Sequence, residues 1–421
     1  AFFRFYSKED DKRKVISTST ISLFWSTIGF LILFLLFRKD LALWSKINVE
    51  YIVFTIWILA LDALAIIPFS KIRAEGRPIK YAVIKISNVV INLSLNIFFL
   101  AFLPNWATNT DNVFIQTIYH EDFQIGYIFV SNLIASLFTL LFVLPDYFKI
   151  KWQFDADLWT KMMQYGLPIL VAGIAFAINE HFDKILLDWM QVDMADIGAY
   201  SACYKIGMFM VLFRTAYSLG IEPFFFSHAK NENAPQTYAT ITKYFVIFGS
   251  FICLGVIVFA DILKLILVPK ETYWDAMDVV PLIVLANFFL GIYTNLSVWY
   301  KLIDKTRIGA YISIVGAIVT LILNLILIPF ISYMGSAIAT ILAYGTMMFI
   351  SYYMGQKKYP IPYDKKSIFT YLGLAIVLSG ISFYVPILRE TYVFGIAAIL
   401  FFAYFVYRNE KETILTIIRR K

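Results

Sequence analysis

The residues of this chain that could do chemistry are charged side chains inside otherwise apolar segments. Lys205 and Arg214 lie in one such segment, Lys85 in a second and Asp62 near the middle of a third. An ionisable group within a membrane span needs a partner, a cavity or water, so each is a functional candidate. The three basic groups would attract a phosphate where the dielectric constant is low. Asp62 could carry a proton or bind sodium, or it could pair with a neighbouring helix.

Asparagines form two further candidate groups. Segment 81–103 carries Lys85, Asn88, Asn92 and Asn96, whose spacing places all four on one helical face. Segment 279–300 carries Asn287 and Asn295 in a similar stripe. Because an amide in lipid is costly, each stripe should either line a polar lumen or make hydrogen bonds between helices.

Three charges lie near one end of segment 162–188, namely Glu180, Asp183 and Lys184. We expect them near the outer membrane interface, as gating charges or as a structural ion pair. His181 has no second ligand at a usable spacing, so no metal site is predicted, and no cofactor either. The sequence contains no Gly-rich phosphate loop, which argues against ATP hydrolysis.

The composition predicts an all-α polytopic membrane protein. Hydrophobic residues make up 60% of the 421 residues, charged residues only 15%, and the mean hydropathy is +0.73. The net charge of +7 does not indicate a nucleic-acid partner, because the basic residues lie in short loops beside apolar segments. Membrane lipids are therefore the expected surroundings of the chain.

Twelve apolar segments are long enough to cross a bilayer as helices. They are 16–37, 51–69, 81–103, 123–144, 162–188, 197–221, 239–260, 279–300, 308–330, 333–354, 367–387 and 391–407.

Lysine and arginine predict the orientation of these segments. Alternate loops, starting with 4–14 and ending with 408–421, hold 26 basic residues, whereas the intervening loops hold 6. The basic set should be cytoplasmic, which places the C-terminus in the cytoplasm.

The chain also contains an internal repeat. K-I-R-A-E-G-R-P-I-K-Y at 71–81 aligns with K-L-I-D-K-T-R-I-G-A-Y at 301–311, and A-F-F-R-F-Y-S-K at 1–8 resembles P-F-F-F-S-H-A-K at 223–230. Two lobes related in this way are typical of transporters. Because two helices lead up to the second copy of the last motif, we expect two more to precede residue 1, which would make fourteen in all.

Short motifs between 157 and 227 carry a family resemblance. In order they are G-L-P, D-K-I-L-L, G-A-Y-S-A-C-Y-K-I and P-F-F-F-S. Together they resemble the seventh and eighth helices of polysaccharide flippases in the multidrug/oligosaccharidyl-lipid/polysaccharide (MOP) exporter superfamily. The resemblance implies a two-lobe bundle like that of the multidrug and toxic compound extrusion (MATE) transporters. The expected parts are an N-lobe at 1–145, a C-lobe at 146–355 and an extra helix pair with a tail at 356–421.

The resemblance also implies a substrate, an oligosaccharide linked to undecaprenyl pyrophosphate and moved across the bacterial inner membrane for surface polysaccharide synthesis. In relatives an essential cation occupies a place comparable to that of Lys205, which is therefore expected to hold the pyrophosphate, with Arg214 and Lys85 as further candidates. The extra pair would help to form a groove for the lipid tail, and polysaccharide polymerases would be partners. We expect the two lobes to rock, with Asp62 coupling the cycle to an ion.

Two other functions stay open from the sequence alone. A drug/cation antiporter of the same superfamily would favour acidic residues within its spans, whereas Lys85, Lys205 and Arg214 stand against Asp62 here. A membrane polysaccharide polymerase or ligase would need a catalytic loop outside the membrane. The loop 104–122 holds His120 but no lysine or arginine, which argues against that enzyme.

Overall fold

The computed structural model describes residues 1–45, 47–109, 112–229 and 231–419, and all regular secondary structure in those ranges is helical, with no strand. The chain divides into two compact units, residues 1–164 and 165–421. Within the described residues, ten helices are long and apolar enough to cross a membrane, and one of them, Thr306–Lys358, contains two predicted segments. The twelve apolar segments are all helical, so the all-α membrane fold is confirmed.

The first unit contains four of these long helices and several short ones. A π-helical turn, Phe98–Phe102, joins α5 to α6, and a 3-10 turn, Glu121–Phe123, precedes α8. The helices are α1 (Phe2–Lys8), α2 (Lys12–Leu36), α3 (Arg38–Ser45), α4 (Val49–Ala74), α5 (Pro78–Ile97), α6 (Leu103–Asn109), α7 (Val113–Ile118) and α8 (Gln124–Tyr147).

Helix α4 is central to the first unit, because both α2 and α8 pack along it and α5 packs on α8. Ala65 and Phe69 of α4 form an apolar core with Ile84 of α5 and Val143 of α8. At the basic end of this group, Asp146 lies 3.3 Å from the Lys71 ammonium and 3.4 Å from that of Lys80. These ion pairs hold together the ends of α4, α5 and α8.

The second unit contains the remaining long helices, and the boundary between the units falls inside α9. A 3-10 segment, Glu271–Val279, leads into α13. The helices are α9 (Ala156–Trp189), α10 (Met194–His228), α11 (Ala234–Val258), α12 (Ala260–Leu267), α13 (Val280–Leu296), α14 (Val298–Leu302), α15 (Thr306–Lys358), α16 (Lys365–Tyr384), α17 (Pro386–Thr391) and α18 (Val393–Arg419).

Helix α13 forms the centre of the second unit and is mostly buried, because α10, α11 and α15 all pack against it. Small residues permit the close approach of these helices. A Cβ atom at Gly207 of α10 would lie 2.5 Å from the Ile283 side chain, so only glycine lets α10 come this near to α13. The backbone of α10 is thereby fixed beside α13 along the segment that carries Lys205 and Arg214.

Helix α15 is two helices joined by a sharp break. Ile331 and Ser332 have non-helical backbone angles, and Ser332 adopts a left-handed φ of 47° with ψ of −137°. Pro329 lies just before them and lacks the N–H that would continue the helix. The break falls between the predicted segments 308–330 and 333–354.

The last helix pair, α16 and α18, packs on α11. Near one end of the pair, Arg389 of α17 donates two hydrogen bonds, of 2.6 and 2.9 Å, to Asp261 of α12. Near the other end, Glu410 of α18 lies 2.7 Å from the Lys243 ammonium of α11 and accepts a hydrogen bond from Tyr371 of α16. The pair is thus held to the second unit at both ends by ionic contacts.

Candidate functional site

Asp183 is a buried carboxylate with several partners. Its side chain is 2% exposed, accepts a 2.6 Å hydrogen bond from the Tyr200 hydroxyl, and lies 3.3 Å from the Lys184 ammonium. That ammonium also lies 4.2 Å from the centre of the Tyr204 ring, where a cation–π interaction is favourable. The sequence predicted a gating charge or a structural ion pair near the outer membrane interface; in the structure the aspartate is buried and contacts Lys184 and Tyr200.

Arg214 is half-buried and makes a different set of contacts. Its guanidinium carbon lies 5.6 Å from the centre of the Phe176 ring, and Phe176 in turn stacks on Tyr344 with 6.2 Å between ring centres. A Cβ atom at Gly291 would lie 2.5 Å from the Phe245 ring, so glycine is needed at this position of α13 beside Arg214. The Nε atom of Arg214 and the hydroxyl of Tyr344 are both buried and have no hydrogen-bond partner among the described residues.

Glu180 lies one turn beyond Phe176 on α9 and is half-buried. Within the described ranges its carboxylate makes no hydrogen bond and no ion pair. Phe176, one turn before Glu180, is the ring that the guanidinium of Arg214 contacts. A carboxylate and a guanidinium therefore lie near one aromatic ring and form no ion pair with each other in the described residues.

The asparagines predicted on α13 are buried in the second unit. Asn287 is 1% exposed and donates to the carbonyl of Ile283 in its own helix at 3.0 Å. Asn295 donates to the carbonyl of Gly291 and accepts a hydrogen bond from the Tyr217 hydroxyl of α10. Asn295 thus joins α10 to α13.

A network of hydrogen-bonded polar side chains, which the sequence analysis did not identify, connects α9 with α15. Asn179 accepts a 2.6 Å hydrogen bond from Thr320, and Asn324 donates to the Thr320 carbonyl and accepts from Ser336. All four side chains are at most 1% exposed. Asn324 and Ser336 lie on opposite sides of the break in α15, so this chain of bonds holds its two halves together.

Lys205 lies on α10 nine residues before Arg214, which places the two about 180° apart around the helix. Its side chain is exposed, whereas Arg214 is half-buried. No hydrogen bond or ion pair to Lys205 occurs in the part of the chain that the structure describes. The two basic residues are thus presented to different surroundings.

The first unit holds the other predicted residues. The exposed Lys85 ammonium lies 4.9 Å from the centre of the Phe69 ring. Asn88 donates a 2.9 Å hydrogen bond to Thr139 of α8, and Asn96 donates a 2.6 Å bond to Asn92. Asp62 is exposed and has neither an ion pair nor a hydrogen bond to residues within the described ranges.

Metal ligands do not cluster in the described part of the chain, where no group of three or more His, Cys, Asp or Glu side chains is placed to hold an ion. Cys203 and Cys253 are free thiols that are 0% and 1% exposed.

Comparison with known proteins identifies the fold. Residues 168–326 match the MatE family model. An uncharacterised membrane protein of Methanocaldococcus jannaschii is 23% identical over 349 residues, which cover 80% of this chain and 78% of that protein.

Several solved transporters have the same fold. A MATE transporter of Vibrio cholerae in its bent form matches with a TM-score of 0.65 and 15% identity, over 88% of this chain and 83% of that one. An outward-facing multidrug resistance MATE transporter of the MOP superfamily matches with a TM-score of 0.70 and 12% identity, over 85% and 81%.

A MOP superfamily transporter of Pyrococcus furiosus matches with a TM-score of 0.65 and 13% identity, over 85% of this chain and 81% of that one. It is described as having a binding pocket of reverse polarity that suggests a different function. The MatE family and these structural neighbours are transporters, so the prediction of a transporter rather than an enzyme is confirmed. The resemblance to the MOP superfamily is confirmed at the level of a MatE domain and of the fold.

Proposed function

We propose that this chain, with its MatE domain and MATE transporter fold, moves a lipid-linked oligosaccharide with a pyrophosphate headgroup across a bacterial inner membrane by alternating access. The observation that carries the proposal is the state of Arg214. It is a half-buried cation in the second unit whose Nε atom is buried and has no partner in the described residues. Buried polar atoms normally have hydrogen-bond partners, so an oxygen-rich anionic ligand would complete this group.

Lys205, in the same unit as Arg214, is proposed as a further contact to the anionic headgroup, and Lys85 of the first unit as a cation that attracts the headgroup from solution. Both ammonium groups are exposed, and neither has an ion pair within the described ranges. An exposed ammonium pairs with phosphate as a point charge, whereas the planar guanidinium of Arg214 can bind two phosphate oxygens at once. Arg214 is therefore expected to fix the orientation of the headgroup, and the lysines to increase its local concentration.

A drug/cation antiporter is the second candidate, and specific observations favour it. Glu180 is a half-buried carboxylate and Asp62 an exposed one, and neither is ion-paired in the part of the chain described. Either group would attract an organic cation or a coupling ion. The Pyrococcus furiosus transporter, with its pocket of reverse polarity, suggests that the charge of the binding pocket differs among proteins of this fold.

The test is reconstitution of the protein in proteoliposomes with two assays in parallel. One follows the arrival of an undecaprenyl-pyrophosphate-linked oligosaccharide at the far leaflet, and the other follows uptake of an organic cation against a proton or sodium gradient. We expect flipping by the native chain and a loss of about tenfold or more in Arg214→Gln, the cost of a lost charged hydrogen bond. Arg307→Gln is the matched control, because Arg307 is exposed in the same unit.

The outcomes separate the two functions. Flipping that is lost in Arg214→Gln and kept in Arg307→Gln supports the flippase. Cation uptake without flipping, abolished by Asp62→Asn or Glu180→Gln, would replace it with the antiporter. Asp62→Asn is also the variant that tests ion coupling, because a flippase coupled through Asp62 should lose its dependence on the gradient.

A further inference from the structure

Glu180 and Arg214 are opposite charges near one aromatic ring, that of Phe176, and they form no ion pair with each other. Both are half-buried in the second unit, where Glu180 lies one turn beyond Phe176 on α9 and the guanidinium of Arg214 on α10 lies 5.6 Å from the centre of the Phe176 ring. No carboxylate oxygen of Glu180 lies within salt-bridge distance of the guanidinium, and neither group pairs with any other residue in the described ranges. Opposite charges attract strongly where the surroundings are apolar. Because Glu180 and Arg214 do not contact each other, each charge remains available to bind a ligand.

The Tyr344 hydroxyl is an independent sign of a ligand at the same place. Tyr344 is 1% exposed, and its hydroxyl has no hydrogen-bond partner in the described part of the chain. A buried hydroxyl can both donate and accept, and an unpartnered one is uncommon. The ring of Tyr344 stacks on Phe176, whose ring also contacts the arginine. The site therefore offers a cation, an anion, an open hydroxyl and aromatic surface.

The chemistry of these groups limits what can bind between them. A guanidinium suits a phosphate, but an ionised carboxylate accepts hydrogen bonds only and repels a phosphate. A pyrophosphate has no donor to offer Glu180 when it is fully ionised, whereas an adjoining sugar has hydroxyl groups and, in an acetamido sugar, an N–H group. A simple organic cation would satisfy Glu180 but would be repelled by Arg214.

We propose that Glu180 is a specificity residue that accepts hydrogen bonds from the sugar next to the phosphate, while Arg214 holds the phosphate itself. The ligand class is a phosphate-linked sugar with free hydroxyl or amide N–H groups on its first ring. This inference rests on the proposed function, because it assigns the parts of the same substrate to named side chains. The unpartnered hydroxyl of Tyr344 is proposed as a further hydrogen-bonding group for the same ligand.

The experiment compares two probes in the flipping assay. One is undecaprenyl pyrophosphate alone, and the other carries a single N-acetylhexosamine on that pyrophosphate. We expect the native chain to prefer the sugar-bearing probe, and Glu180→Gln to reduce this preference about tenfold, the cost of losing hydrogen bonds to a charged group. Arg214→Gln should slow both probes alike. Glu271→Gln, at an exposed position of the same unit, should change neither.

Two further variants test the role of Glu180 independently of Glu180→Gln. Glu180→Asp retains the charge on a shorter side chain and tests the contact if Glu180→Gln does not fold. The double variant Glu180→Gln/Arg214→Gln tests whether Glu180 acts only by balancing the charge of Arg214. Equal effects of Glu180→Gln on both probes, or native transport by the double variant, would overturn the assignment of Glu180. A native chain that flips neither probe would instead refute the proposed function.

Discussion

The buried polar side chains of the second unit fall into two kinds. Asp183, Asn179 and Asn324 are bonded to neighbouring side chains and join helices together. The Nε atom of Arg214 and the hydroxyl of Tyr344 are buried and unpartnered among the described residues. The bonded groups hold the helices in place, whereas Arg214 and Tyr344 are the groups that we propose to bind a ligand, so substitutions in the two sets should affect different measurements.

Gly316 tests the structural role of the bonded set. A Cβ atom at this position would lie 2.4 Å from the Met347 sulfur and 3.1 Å from the Asn179 amide nitrogen, and Met347 is fully buried. Gly316→Ala should therefore lower the free energy of unfolding by about 1–3 kcal/mol, as overpacking of a core does. Thermal unfolding in detergent measures the change.

Gly373 is the matched control for Gly316, because it lies in helix α16 with nothing within 4 Å of its would-be Cβ. Gly373→Ala should be neutral or stabilise the protein by up to about 1 kcal/mol, since alanine favours the helix over glycine. If both variants had the same melting temperature, the close packing around Gly316 would not contribute to the stability of the protein.

The residues of the candidate site could be predicted only where charge marked them. Arg214, Glu180 and Asp183 stand out in apolar segments and were found from the sequence. Tyr344 was missed because it is one of 27 tyrosines, and nothing in its local sequence separates a buried, unpartnered hydroxyl from one at an interface. Burial of Asp183 also escaped prediction, since the Tyr200 hydroxyl that bonds to it and the Tyr204 ring that contacts its partner Lys184 belong to another helix.

At the scale of elements, the break in α15 is the point of greatest backbone strain described above. Ser332 adopts a left-handed φ of 47°, which glycine adopts freely and other residues rarely do. Its hydroxyl is buried without a partner in the described residues, so its removal loses no hydrogen bond there. The geometry of the turn, and not a contact of the serine side chain, is what the break requires.

Ser332→Gly should therefore raise the free energy of unfolding by about 1 kcal/mol, through relief of backbone strain. Ser332→Val should lower it by about 2 kcal/mol, because a β-branched side chain is poorly accommodated at positive φ. Chemical or thermal unfolding in detergent would rank the three proteins. A glycine variant less stable than the native chain would mean that the serine side chain stabilises the turn.

The extent of the elements was predictable because long apolar runs need no tertiary information to form helices in a membrane. The break between 308–330 and 333–354 was placed correctly, since two spans cannot fit into one membrane-length helix. The ionic contacts that hold the last helix pair, α16 and α18, to the rest of the second unit could not be predicted. Arg389 and Asp261 are distant in sequence, and only the fold brings their side chains together.

At the scale of the whole molecule, the distribution of basic residues predicts which side of the membrane each end of the helices faces. The loops assigned to the cytoplasm hold 26 lysine and arginine residues and the others hold 6. Cys203 and Cys253 are 0% and 1% exposed, so they should not react with a polar thiol reagent. Introduced cysteines can therefore report the orientation directly.

Lys305→Cys and Glu390→Cys make this test, because both positions are exposed and belong to opposite sets of loops. We expect a membrane-impermeant maleimide to label Glu390→Cys in intact cells and Lys305→Cys only after lysis. The native chain serves as the unlabelled control. Labelling of Lys305→Cys in intact cells, with Glu390→Cys protected, would invert the proposed orientation and place the C-terminus outside.

The break in α15 also has a consequence for cleavage of the chain. Only Ile331 and Ser332 leave the helical conformation between its two halves. A protease needs a longer extended segment to bind across its active site, and nicking concentrates at exposed loop tips. Digestion from the outer face should therefore leave these two helices as one uncut fragment, and their covalent continuity would persist after the longer connections of the chain had been cut.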